Sequence, residues 1–373
     1  MDAIFSFGQT LLSFLFILTV LVFVHEWGHY IVARLNGVRV DVFSVGFGPE
    51  IWGRTDKKGT RWKISAIPLG GYVKFFGDAG PASNPDGTQN EMTEEEKKVS
   101  FHHKRLSQKA AVVFAGPAIN FLFAILIIAG LYFSYGRMEL APVVGDVVEG
   151  GAADVAGIKA GDRIVTIDGV EIETFMEIRE HLMFKVVDDV SVEVMRGGDI
   201  LALNFVLDIA DDEDILGKKT KVRQIGIRSS TNPDDRVLKE YGIFSSLWEA
   251  SITTKNLTIR NLQGLGQIVM GDRSTKELGG PITIARVAGR TAEYGFVSLI
   301  NFMAMVSIGL GMINLFPIPM LDGGHLLYYA IEAVKRKKMS EEAQEFGFKI
   351  GALVVLSLMI FAFYNDLSHL FTS

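Results

Sequence analysis

Cysteine is missing altogether from the 373 residues. Its absence excludes disulfides and thiolate metal sites, so zinc could be held here only by histidine and carboxylate. Histidine is itself sparse, with seven copies. A basic excess is missing too: the formal net charge of -6 gives no reason to expect nucleic acid as a partner. Charge of either sign is absent over four long runs, Ala3–Val24, Ala110–Gly136, Tyr294–Leu321 and Ile350–Asn365. With 49% hydrophobic residues overall, the balance suits a polytopic membrane protein carrying a soluble part. As a helix, the first run of about 22 positions rises roughly 33 Å, enough for a hydrocarbon core of about 30 Å. Met1–Gln9 has no basic residue and no small-residue cleavage site ends the run, so it reads as a retained helix and not a signal peptide.

What is present begins where that run ends. His25-Glu26-Trp27-Gly28-His29 is an HExxH motif. Two histidines four apart project from one helical face and can grip one metal ion. Glu26 beside them can take a proton from a water on that ion. The plain alternative makes them helix-end residues among lipid headgroups, but ionisable groups in a membrane segment by default mark function.

Basic residues set the expected topology. Arg34, Arg39, Arg54, Lys57, Lys58, Arg61 and Lys63 follow the first run, Lys97, Lys98, Lys104 and Arg105 precede the second, and Lys335-Arg336-Lys337-Lys338 joins the third to the fourth. Positive loops stay inside, so both connections are expected in the cytoplasm, with the termini and Arg137–Glu293 outside.

Within the first loop, Val38–Phe43, Arg61–Ala66 and Tyr72–Phe76 are expected as short strands, with a turn at Pro68-Leu69-Gly70-Gly71. They either form a cytoplasmic ribbon or dip into the bilayer, which requires their backbone groups to be paired. Asp78–Lys98 is polar and reads as a connector. Gly116-Pro117-Ala118-Ile119-Asn120 opens the second span. Its small residues allow close helix approach, and Asn120 either hydrogen-bonds across the interface or only packs.

Ala141–Leu207 reads as a small α/β module, with a hairpin at Asp168-Gly169, a capping box at Thr174-Phe175-Met176-Glu177 and a second hairpin at Gly197-Gly198. Its Ala156-Gly157-Ile158-Lys159-Ala160-Gly161-Asp162-Arg163-Ile164 stretch resembles the element found in bacterial protease-associated PDZ domains, which bind peptide segments by adding them to a sheet edge. A spacer that binds nothing is the alternative. Asp211-Asp212-Glu213-Asp214 lacks calcium-loop spacing and is expected as a solvated loop. Tyr241–Met270 mixes apolar and polar residues at helical spacing, as a helix lying along the membrane surface would.

The third run ends in Asn314-Leu315-Phe316-Pro317-Ile318-Pro319-Met320-Leu321-Asp322-Gly323-Gly324-His325. Two prolines break the helix ladder there. Catalytic zinc usually takes three protein ligands and leaves a fourth position open. His25, His29 and Asp322 make such a set, with His325 a rival third ligand and a helix cap the plain reading of Asp322.

Together these stretches resemble the site-2 protease family of intramembrane zinc metalloproteases, specifically the bacterial RseP type. The resemblance rests on the HExxH motif, Phe43–Pro49, Gly70–Lys74, Gly116-Pro117 with Asn120, the PDZ-like module, Gly280-Pro281-Ile282 and Asn314–His325. It implies Zn2+ held at His25, His29 and Asp322, Glu26 as general base, and Asn314 as a residue that holds the substrate backbone or stabilises the oxyanion. It further implies that the substrate adds as a strand along Gly70, Gly71, Tyr72, Val73 and Lys74, with Asn120 also on the substrate side. The implied activity is regulated proteolysis, in a bacterial inner membrane, of single-span proteins already trimmed outside by a site-1 protease, anti-sigma factors among them, and of remnant signal peptides. The best-known members carry two tandem PDZ domains, whereas Arg137–Val237 has room for one.

The expected fold is therefore a polytopic α-helical membrane protein of about four transmembrane helices with a membrane-associated β-region and one periplasmic PDZ domain. Residues 1–136 hold two spans and the β-region, 137–237 the PDZ domain, 238–293 an amphipathic helical linker and 294–373 the last two spans. Two rival functions stand beside the protease: a catalytically silent scaffold presenting its PDZ domain, and a Ste24-type zincin with a distant glutamate as third ligand.

Overall fold

The computed structural model describes residues 2–78, 80, 92–183, 188–213, 219–271, 275, 279–337 and 339–372. The chain divides into two compact units, Met1–Leu131 with Ile243–Ser373, and Tyr132–Gly242.

In the first unit, α1 (Asp2–Leu35) does not stop where charge begins but carries the HExxH motif within one continuous helix. It ends at Asn36-Gly37, where the Asn36 side chain donates to the Val32 carbonyl and Gly37 turns to φ +68°. Among the described residues, four helices are long and apolar enough to cross a membrane: the Phe7–Leu35 part of α1, α3 (Leu106–Tyr135), α8 (Phe296–Asn314) and the Glu342–Ser368 part of α10 (Glu341–Thr372). The third apolar run is thus shorter as a helix than its composition suggested. Pro317 and Pro319 cannot donate to a helix ladder, so α8 ends at Asn314 and α9 (Asp322–Lys335) starts after an irregular link.

The loop after α1 also differs from expectation. In place of three short strands there are two long ones, β1 (Val40–Thr55) and β2 (Arg61–Phe75), and β2 runs on through the expected turn at Pro68–Gly71. The register explains this. Val42–Val45 faces Lys74–Gly71 on one side and Arg61–Ile64 on the other, while Glu50–Thr55 pairs back onto Ser65–Arg61. Each strand bends and serves two neighbours, so the Val42–Val45 segment is paired on both edges and Gly71–Phe75 forms an outer strand of the sheet. In the connector, α2 (Glu94–Val99) is closed by a capping box in which Glu96 and Thr93 bond reciprocally. Asp78 is buried and bonds His102 at 2.7 Å.

Two apolar clusters bracket the middle of α1. Toward its N-terminal end, Ile17 and Leu21 pack with Leu299 and Met303 of α8 and with Ala288 of α7 (Pro281–Glu293). Toward its C-terminal end, Ala33 packs with Phe43, Val73, Phe75, Phe101, Val112 and Val113, and Leu326 and Tyr329 of α9 join them. His25, Glu26 and His29 fall between. The start of α7 is held by the buried Asp366 of α10, which accepts from the backbone N–H groups of Gly280 and Ile282 at 2.9 and 2.8 Å and from Thr283 Oγ1 at 2.6 Å. A carboxylate at a helix N-terminus satisfies orphan donors and meets the positive end of the dipole. The helix before α7, α6 (Ile243–Met270), exposes Phe244 and Trp248 near its start.

The second unit is built round a four-stranded sheet of order β6-β5-β7-β8 (Val170–Glu171, Arg163–Ile167, Asp189–Arg196, Asp199–Val206). Both expected hairpins are present: Asp168 and Gly169 adopt φ 53° and 78° between β5 and β6, and Arg196 pairs with Asp199 around Gly197-Gly198. Ile164, Ile167, Val192 and Val194 point into one core with Ala153 of α4 (Ala152–Ala156) and Ile178 of α5 (Phe175–Met183). The capping box at α5 is half made: Glu177 accepts from the Thr174 N–H, but Thr174 Oγ1 is buried without a partner. The acidic run, expected as a loop, is instead part of a strand (Asp208–Glu213) whose partner (Lys219–Gln224) sets Lys219 opposite Glu213 and Lys221 opposite Asp211. Asp214 lies outside the described residues.

Asp162 is the buried carboxylate among the described residues of this unit. Arg196 donates to both its oxygens, at 2.7 and 2.6 Å, and the Lys159 N–H adds a third bond at 2.8 Å. Burial alone would raise its carboxyl, but the Arg196 fork and the Lys159 N–H outweigh it and hold the group below the ordinary carboxylate value.

Candidate metal centre

The two histidines of α1 and the first residue of α9 converge. His25 Nε2 and His29 Nε2 are 3.4 Å apart, and Asp322 Oδ2 lies 3.3 Å from the first and 3.5 Å from the second. Among the described residues these three form the one group able to hold a metal ion. The spacing is diagnostic. A tetrahedral zinc with bonds of about 2.0–2.1 Å has ligand atoms about 3.3–3.4 Å apart. The same distances are long for hydrogen bonds, and Asp322 Oδ2 is buried with no hydrogen-bond partner. An orphaned carboxylate oxygen facing two imidazole nitrogens at the edge length of a tetrahedron fits a divalent cation. The residues present therefore suit zinc.

Why the side chains point this way follows from their supports. His29 Nδ1 lies 2.9 Å from the Val112 carbonyl of α3, so Nδ1 carries the proton and Nε2 is left as the ligand atom. Pro117, one turn on, removes the N–H that would have bonded Val113 O, in the same stretch of α3. Gly116 lets α3 pass over the two rings: a Cβ there would sit 2.2 Å from His29 Nε2 and 2.9 Å from His25 Cε1. Leu321, not Asp322, is the N-cap of α9, so Asp322 is free of the capping role and stands in the first turn, where the helix dipole favours its negative charge. Side chains at Gly323 or Gly324 would collide with the carbonyls of Leu315, Phe316 and Ile318, so the Asp-Gly-Gly sequence lets α9 begin tight against the irregular link. Met320, two residues before Asp322, is held at φ 92°.

Glu26 sits on the same turn of α1, next to the outer strand of the sheet. Its carboxylate faces the backbone N–H of Val73, and a Cβ on Gly71 would lie 3.2 Å from its Cγ. The structure thus brings Gly71 and Val73, in the strand that also holds Gly70, Tyr72 and Lys74, to the flank of Glu26. Asn314, the last residue of α8, reaches the cluster with Nδ2 3.5 Å from His25 Nε2. Asn120 is fully buried, with its amide 3.1 Å from His25 Nδ1. His325 stands one turn along α9 but its ring nitrogens are not in the metal-binding group. Sequence reasoning missed the Val112 carbonyl and the Val73 N–H. It read Gly116 as room for close helix approach, but not that the two imidazoles would occupy that room.

The comparisons agree with this geometry. The sequence profile of peptidase family M50 matches residues 13–358. A protein of Brucella suis biovar 1 (strain 1330) named "Putative zinc metalloprotease" is 43% identical over 359 residues, 96% of this chain and 95% of that one. A protein of Rhizobium meliloti (strain 1021) with the same form of name is 42% identical over 363 residues, 97% of each chain. Metalloprotease MmpA of Caulobacter vibrioides is 34% identical over 382 residues, 96% of this chain and 95% of its own. A match from the first membrane-spanning helix into the last, over a site whose donors meet at tetrahedral spacing, places this chain in peptidase family M50.

Proposed function

We propose that this M50 peptidase is a zinc metalloprotease that cuts single-span membrane proteins within the bilayer. The observation that carries the reading is the donor triangle of His25, His29 and Asp322, with Glu26 beside it, on a helix apolar enough to cross a membrane. When bound there, zinc supplies a Lewis acid for the scissile carbonyl and lowers the pKa of the attacking water towards about 7. Glu26 takes the proton of that water and returns it to the leaving amine. The Val73 N–H keeps the Glu26 carboxylate aimed. The Asn314 amide holds the carbonyl that is attacked.

A helical substrate hides its carbonyls in its own hydrogen bonds and must unwind first. Pairing along Gly70–Lys74 would satisfy the freed groups where unpaired ones cost several kcal/mol, and the outer position of this strand beside Glu26 supports that role. The substrates are single-span proteins pre-cut outside by a site-1 protease, anti-sigma-factor-like chains among them, and remnant signal peptides. The Tyr132–Gly242 unit is a single PDZ domain that gathers extended peptide segments, a reading supported by its Ala156–Ile164 element and its two hairpins. The basic loops favour a bacterial inner membrane with this unit and both termini on the outer side.

The test is co-expression with a tagged single-span substrate. Wild type should trim the tag and Glu26→Gln should leave the substrate intact. A silent scaffold would behave identically with either residue and would bind no stoichiometric zinc.

A further inference from the structure

Resting on the metal reading above, we infer that Asn120 is a positioning residue of the metal centre, whose side-chain oxygen accepts the Nδ1 proton of His25 and so keeps Nε2 free for the ion. Three observations converge on it. Asn120 has no exposed surface, so its side-chain amide must find its partners within the protein. Its amide lies 3.1 Å from His25 Nδ1, while its Oδ1 is buried without a partner. And His25 Nε2 is already committed to the triangle with His29 and Asp322.

The chemistry then fixes the amide's orientation. A neutral imidazole that offers Nε2 to a metal must carry its proton on Nδ1. With Nδ2 turned toward that ring, two donors face one another and the amide oxygen is stranded. The oxygen and nitrogen of an asparagine amide exchange places by a half-turn about the terminal torsion. After the turn the Nδ1 proton is donated to Oδ1, the orphaned acceptor is used, and only the NH2 stays unbonded. The opposite assignment, with Asn120 donating to a bare Nδ1, puts the ring proton on Nε2, where the ion has to sit.

The backbone supports the arrangement. The Ser307 hydroxyl of α8 donates to the Asn120 carbonyl at 2.9 Å, pinning this turn of α3. Gly116, one turn earlier on the same face, leaves the room both rings occupy. His29 receives the same service from the Val112 carbonyl. Each imidazole is thus held through Nδ1 by α3, one by a backbone oxygen and one by a side chain, and only the second can be removed by mutation.

The experiment measures zinc affinity of the purified full-length chain in detergent, by competition with a chelator, for wild type, Asn120→Leu, Asn120→Ala and Asn120→Asp. Loss of an outer hydrogen bond to a metal-ligating histidine typically weakens binding about 10–100-fold, so Asn120→Leu and Asn120→Ala should both fall by that factor. Asn120→Asp keeps an acceptor oxygen and should bind within a few-fold of wild type. A role in packing alone predicts wild-type affinity in Asn120→Leu, because leucine fills the space. Wild-type affinity in Asn120→Leu, or an aspartate variant as weak as the alanine one, overturns the inference while leaving the metal reading intact. A wild-type chain that binds no zinc overturns both. Should the variants not fold, histidine-ring 15N NMR of the zinc-loaded wild type decides. A His25 Nδ1–H shifted downfield and protected from exchange supports the inference, and a His25 Nδ1–H exchanging with bulk water rejects it.

Discussion

Two aspartates, one in each unit, each with a buried carboxylate oxygen, are handled in opposite ways. Asp162 receives three strong donors, two of them from the Arg196 fork, and every part of its charge is answered by the protein. Asp322 is given two imidazole nitrogens at 3.3 and 3.5 Å, within ion-pair range but long for hydrogen bonds, and its Oδ2 is left without a hydrogen-bond partner. Burying a carboxylate without compensation costs several kcal/mol, so folding alone would have removed the second arrangement. A satisfied buried charge fastens a fold. An unsatisfied one, aimed at other unsatisfied groups, reserves a place for something that arrives from outside. Asp366 sharpens the point, because it lies in the same unit as Asp322 and yet is answered as fully as Asp162, by the N–H groups that open α7.

That contrast can be broken most severely at Glu26. Glu26→Gln removes the group that moves the proton and should lower cleavage of a single-span substrate by about 10²–10⁴, with zinc retained on metal analysis. Next come the changes that destroy the reserved place. Asp322→Ala and Gly116→Ala should both yield chains with substoichiometric zinc, the first for want of a ligand, the second because the new methyl would lie 2.2 Å from His29 Nε2. If Asp322 were an ordinary structural carboxylate like Asp162, its replacement would change melting and leave metal content alone. Asp162→Ala is the converse case: it should destabilise the Tyr132–Gly242 unit by about 2 kcal/mol, read as faster amide exchange in β5 and β7, without moving zinc affinity. The smallest effect is that of pH on the same pair. The folded Asp162 carboxyl is held below its ordinary value, so the stability it contributes is complete above the unfolded value of about 3.9 and is lost as pH falls through the lower folded one. Amide protection followed down that range, after correction for the intrinsic exchange rate at each pH, should fall in the wild type and change less in Asp162→Ala.

The parts of the fold legible in the chain are those fixed by local chemistry. Apolar runs announced the spans, Asp168-Gly169 and Gly197-Gly198 announced hairpins, and the spacing of His25 and His29 announced a shared face. The partner at Asp322 was legible because a carboxylate after a long uncharged run is conspicuous. What stayed hidden depends on atoms that every residue has. The carbonyl of Val112 and the N–H of Val73 carry no label in a sequence, and which of them meets a histidine or a glutamate is decided by helix and sheet packing. The doubled pairing of Val42–Val45 was hidden for the same reason, since a strand that bends and serves two neighbours looks, residue by residue, like two short strands. Asp366 gave no sign of its role, because the turn it caps lies over eighty positions away in the chain.

The unbroken course of α1 has a consequence for what the proposed reaction leaves behind. At 1.5 Å per residue, Glu26 lies about 28 Å along the rod from Phe7, close to the full thickness of a hydrocarbon layer of about 30 Å. The scissile bond would therefore be met near one face of the lipid, not at the mid-plane. The two halves of a severed anchor would be unequal: one keeps nearly all of its greasy length and stays, while the other keeps too little to be retained and is set free into the adjoining water.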